Sequence, residues 1–250
     1  MALFKSSNPT LRADTFKGIY SSNTNDNVMT LQGTVNKTAL LLLAVIIPAL
    51  YTWNLLNSTE NFQIFVKYYR AAALGAFVIA IIIVFKKEWA PYLAFIYSVL
   101  QGFILGGLSA IFNYQMPGIV MQALVLTFGI FAILLIIYKL KIIEPTENFK
   151  LIVCSATACI ALYYLASFIL SFFGIEVPFI HENTTAGILF SVFIVVIASM
   201  NLVVDFDFIE QGVAQKAPKC MEWYGAFGLM VTLIWLYIEI LRLLAKLKKR

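Results

Sequence analysis

Seven long apolar runs, parted by short polar links, constrain this chain more than any other feature. A lipid-spanning segment needs roughly 20 mostly apolar residues, because only a helix satisfies its own backbone in hydrocarbon. The runs fall at about residues 38–56, 68–85, 89–112, 118–138, 151–173, 184–204 and 221–244. Pro48 predicts a kink in the first, and Pro91 opens the third, where proline is tolerated. The chain is 61% hydrophobic and 12% charged, against about 25% charged in soluble domains. One globular core could not hide so much apolar surface, so the expected solvent is the lipid bilayer. The fold class is all-α, a polytopic membrane protein with seven transmembrane helices.

The expected layout is a polar cytoplasmic N-terminal segment (1–36), a transmembrane domain (37–245) and a basic C-terminal tail (246–250). No apolar core marks the first 36 residues as a cleavable signal. Short links make successive helices antiparallel neighbours. Tyr51, Trp53, Trp89, Tyr92, Trp223 and Tyr224, near span ends, suit an interfacial belt.

Basic residues set the orientation. With the N-terminus inside, the inner segments hold Lys5, Arg12, Lys17, Lys37, Lys86, Lys87, Lys139, Lys141, Lys150, Lys216 and Lys219, and the outer loops hold Lys67 and Arg70. The N-terminus is therefore expected in the cytoplasm. The tail conflicts with the rule, since seven spans place Arg242, Lys246, Lys248, Lys249 and Arg250 outside. Either the last helix stops short of crossing or the rule fails there. The net charge of +5 reads as membrane orientation and not as a nucleic-acid footprint. Cys154, Cys159 and Cys220 have neither metal spacing nor a disulfide pattern, and the first two are expected to pack as buried thiols.

Ionisable groups inside a membrane are functional candidates. The densest group closes the sixth run: Asn201, Asp205, Asp207 and the cytoplasmic-end acid Glu210. At about 100° per residue, Asn201 and Asp205 share a face and Asp207 points nearly opposite. Asp205 is the inward candidate. The competing reading puts all three acids in headgroup water beside Lys216 or Lys219. In the seventh run, Gly225, Gly228, Thr232, Leu236, Glu239 and Leu243 recur at helical spacing, as in a helix packed closely against several others. Glu239 lines a water-filled path or pairs with Arg242 one turn on. In the third run, Gly102 and Gly106 form a small-xxx-small motif, and Gln101 offers an interior polar group.

Several chemistries fail on residue supply. No span holds a mid-membrane lysine for a retinal Schiff base, and none holds a histidine for a serine protease. His181 alone cannot make a zinc site. Both intramembrane aspartates share one span, whereas an aspartyl protease needs two. No enzyme, cofactor or metal site is expected. What remains is protons or cations moving past carboxylates.

Three stretches carry a resemblance. They are Asn8-Pro9-Thr10-Leu11 with Met29-Thr30; Ala90-Pro91-Tyr92-Leu93 through Gln101-Gly102 and Gly106-Gly107-Leu108-Ser109-Ala110; and Asp205-Phe206-Asp207-Phe208-Ile209-Glu210 followed by Met221-Glu222-Trp223-Tyr224-Gly225-Ala226-Phe227-Gly228. The chain resembles the Bax inhibitor-1 family (YccA-like, the transmembrane Bax inhibitor motif proteins), closest to a bacterial subgroup. The resemblance implies seven helices with the seventh central, a bacterial cytoplasmic membrane, and a pH-sensitive calcium or cation leak gated at Asp205. In the family a second, seventh-span aspartate shares a proton with the first. Thr232 stands at that position here, and Gln101 replaces a third-span acid of related proteins. Both departures remove charge that would attract calcium. Asp205, Asp207 and Glu239 are thus the gating candidates, with Asn201, Thr232, Gln101 and Arg242 as interior polar groups. Ca2+, another cation or protons are the expected partners. The alternative is a non-conducting scaffold that binds another membrane protein, such as a protease or translocon.

Overall fold

A computed structural model describes residues 28–56, 59–171, 173 and 184–249. The Asn8 stretch, His181 and Arg250 lie outside the described residues, as do the side chains of Lys67 and Arg70. Seven α-helices follow in order: α1 (Leu31–Leu55), α2 (Thr59–Phe85), α3 (Ala90–Gln115), α4 (Ile119–Lys139), α5 (Glu147–Ser171), α6 (Thr185–Ala214) and α7 (Cys220–Lys248). Among the described residues six stretches are long and apolar enough to cross a membrane, and α2 carries a shorter apolar stretch, Ala71–Phe85. Large side chains such as Ile47, Phe77, Met121 and Ile152 are exposed, as lipid-facing positions require.

Local chemistry moves several helix ends outward from the apolar runs. Helix α1 begins at Leu31, not near 38, because the Thr30 hydroxyl accepts from Gly33 N–H at 3.0 Å as an N-cap. Helix α5 begins at Glu147 behind Thr146, whose hydroxyl accepts from Phe149 N–H at 3.2 Å. Helix α6 continues ten residues past the sixth run, since Phe206, Phe208 and Ile209 are still buried. It ends in paired bonds from Lys216 N–H to Val213 O and from Ala217 N–H to Gly212 O, both 3.0 Å, with Lys216 left-handed at φ 52°. This is the C-terminal stop that satisfies the last carbonyls. Between α3 and α4 the chain turns at Gly118, whose φ of 82° favours a residue without Cβ.

The described residues group into two compact units, one from those within 28–115 and 208–231, the other from those within 116–207 and 232–249. In the first, α1 crosses α3 at Gly102 and Gly106, where an added Cβ would strike the carbonyl oxygens of Val45 and Ala49. Tyr97 meets Phe227 edge-on at 5.1 Å, and Leu41, Ile83, Met221 and Met230 are fully buried. Tyr224, expected at the interface, is instead buried against Phe208 at 5.9 Å. In the second unit Ile160, Ile194 and Ile197 form the core, with Tyr164, Phe190 and Trp235 against them. Phe206 fits between Phe131 and Tyr138, at 5.7 and 5.6 Å. Cys159 is exposed on α5 rather than buried.

Candidate functional site

The sixth-run polar residues divide as helical periodicity requires. Asn201 Nδ2 donates to Thr157 Oγ1 on α5 at 2.7 Å and to Ile197 O at 2.9 Å. One turn on, the carboxylate of Asp205 is hydrogen-bonded by the Thr232 hydroxyl of α7. Its Oδ2 is shut off from solvent with no hydrogen-bond partner. Among the described residues no other buried side-chain oxygen or nitrogen is left in that state. Leaving a buried polar atom unmatched costs about 1–3 kcal/mol, more when charged, so such an atom is a candidate for function.

Asp207 points away and pairs with Lys150 of α5 at 2.6 Å, and Lys150 also reaches Glu147 at 3.0 Å. Lys150 is a partner that the sequence reading did not name. Glu210 is exposed and Gln101 half-buried. Both belong to the first unit, as do Gly102, Gly106, Gly225 and Gly228. A Cβ at Gly225 would press Ile209 at 3.1 Å.

Glu239 is 2% exposed. Its Oε1 accepts from both the Tyr164 hydroxyl and Arg242 Nη1 at 3.0 Å. Arg242 Nη1 also donates to Tyr164 Oη at 3.0 Å and lies over the Tyr164 ring at 5.2 Å. The intrahelical Glu239–Arg242 pair is therefore formed, and Tyr164 of α5 completes it. Lys246, expected in a basic tail, is helical and 6% exposed. It donates to Gly187 O at 3.0 Å and Ser191 Oγ at 2.9 Å near the start of α6.

These contacts fix how α7 runs. Ser191–Lys246 and Asp205–Thr232 lie fourteen residues apart on both helices. Within this unit α6 and α7 are thus antiparallel in one register over about 21 Å. The end of α7 comes level with the start of α6.

A family model described as Bax inhibitor 1 like matches residues 8–249. The chain belongs to the Bax inhibitor-1-like family. No curated protein and no solved structure is found to match it. Within this Bax inhibitor-1-like chain, the sequence pointed to Asp205, Thr232, Glu239 and Arg242 as candidates and not to Lys150, Tyr164, Ser191 and Lys246, which the structure brings beside that group. A seven-residue spacing of polar residues, Thr232, Glu239 and Lys246, was the available signal.

Proposed function

We propose that this Bax inhibitor-1-like chain is an ion leak of the bacterial cytoplasmic membrane, N-terminus inside, gated by protonation at Asp205. The observation that carries the reading is the dry, unmatched Oδ2 of Asp205 beside Thr232. A charge there is costly unless water or a donor reaches it, so an ionised Asp205 draws the site open and a protonated one lets it close. The fold expected with it has α7 central, which is supported by α7 being the most buried of the membrane-length helices among the described residues. Asp207, tied to Lys150, steadies the end of α6 near the gate. The permeant species is Ca2+, another cation or the proton, and the activity is not enzymatic.

The test is ion flux in proteoliposomes at a fixed gradient. Wild-type flux is expected to fall as pH drops, and Asp205→Asn to stay low at every pH. Equal, pH-independent flux from both proteins removes the gate.

One observation favours a second reading. Glu239 is paired with Arg242 and hydrogen-bonded by Tyr164 within the fold, as in a static helical scaffold for a membrane-protein partner. A stoichiometric co-purifying partner, with no flux of any ion, would decide for that scaffold.

A further inference from the structure

We infer that the leak carries protons and not calcium, along a file of buried side chains set seven residues apart on α7. This rests on the leak reading above and names its ion. Thr232, Glu239 and Lys246 recur at seven-residue spacing, which drifts only about 20° per step around a helix and places successive groups about 10.5 Å apart along it. All three are buried, at 9%, 2% and 6% exposure. Each is met by a polar group from a neighbouring helix of the same unit: Asp205 at Thr232, Tyr164 at Glu239 and Ser191 at Lys246. Chance burial of polar groups in a span is expensive, and three in register with partners form a route.

The charges on that route select the ion. Its acids are Asp205 and Glu239, and its cations Arg242 and Lys246. Off the file, α5 and α6 add the Lys150–Asp207 pair, and α4 brings Tyr138 beside Phe206. Calcium takes 6–8 oxygen ligands, and cation pores gather rings of carboxylates. Here a guanidinium already occupies the Glu239 oxygen, and an ammonium stands at one end. Among the described residues no three His, Cys, Asp or Glu side chains converge as a metal site.

A proton needs only groups that accept and release it, with transient water across the gaps. With Asp205 ionised and the site open, a proton from water at that end passes to the Glu239 carboxylate. The Lys246 ammonium releases one to water at the other end, and its amine takes the proton from Glu239. Every group regains its starting charge and one proton has crossed. Leu236, fully buried, and Leu243 lie between the polar levels and keep the file dry between transfers.

The experiment uses the full chain in liposomes holding a pH dye or a calcium dye, under a potassium-diffusion potential. Wild type should carry protons, with calcium entry no faster than into empty liposomes. Glu239→Gln should cut proton flux at least tenfold, Glu239→Asp should keep most of it, and Leu236→Ser, which adds a hydroxyl to the gap, should raise it several-fold without admitting calcium. Size-exclusion profiles report folding, and if Glu239→Gln does not fold, the Asp and Leu236→Ser arms decide. Calcium entry through wild type that Asp205→Asn removes overturns the proton assignment and leaves the leak standing. Undiminished proton flux in folded Glu239→Gln, or in the fallback arms no rise with Leu236→Ser, also overturns it. No flux of either ion through wild type defeats the leak reading itself.

Discussion

Replacing Gly102 by leucine is expected to leave almost no folded protein. A Cβ at this position would strike the backbone carbonyl of Val45, and no rotamer of a neighbour can relieve a clash with main chain. Helices α1 and α3 would have to separate along the crossing that also passes Gly106 and Ala49. Overpacking costs about 1–3 kcal/mol where side chains can yield, and here the cost is larger because they cannot. Set against total stabilities of about 5–15 kcal/mol, the loss should appear as a collapse in monodisperse yield. Gly129→Leu is the matched control, since a Cβ there meets nothing within 4 Å. That variant should purify like wild type.

The second large effect is expected at Glu222, which is 1% exposed. Its Oε1 accepts from Thr30 N–H and from the Thr30 hydroxyl, both at 2.8 Å, and its Oε2 pairs with Lys37. Thr30 in turn caps α1 through Gly33 N–H. The same corner is closed by Met29 N–H donating to Ala217 O at 2.7 Å. Glu222 therefore joins the first turn of α7 to the first turns of α1. Glu222→Ala removes the counter-charge of Lys37 and unpins the cap together. Breaking a buried pair from one side costs about 3–5 kcal/mol. Lys37 is 17% exposed, which places the expected loss at the lower end, a fall on the order of 10 °C in melting temperature. The double variant Lys37→Met with Glu222→Leu should melt higher than Glu222→Ala alone, because it strands no charge. A lower melting temperature for the double variant would show that the pair is not what stabilises this corner.

The helices were legible because lipid imposes a length and a polarity that a single sequence displays directly. Their ends were not, because ends are set by single hydrogen bonds. Thr30 and Thr146 look like ordinary polar residues until their hydroxyls meet the N–H groups three residues on. The division of Asp205 from Asp207 followed from helical rotation, and Asp207 does leave that face to reach Lys150. The partners themselves were hidden. Tyr164 and Glu239 are 75 residues apart in the chain, and no periodicity within either helix relates them. Lys246 was misread because lysine near a C-terminus resembles a solvated tail, although its place one heptad beyond Glu239 continues the buried face. Tyr224 shows the converse. An aromatic ring near a span end suits the interface, but Phe208 and the rest of its unit bury it.

The proposed gate rests on one carboxylate whose Oδ2 is closed to solvent, and infrared difference spectroscopy addresses it directly. As pH is lowered across wild-type protein in lipid, the account predicts a protonated-carboxyl band at the position of an acid in apolar surroundings. That band should be missing from Asp205→Asn and shifted in Thr232→Val, which removes the hydroxyl donor. A spectrum unchanged by Asp205→Asn, or an Asp205 band at the position of a hydrated acid and indifferent to Thr232→Val, would contradict it.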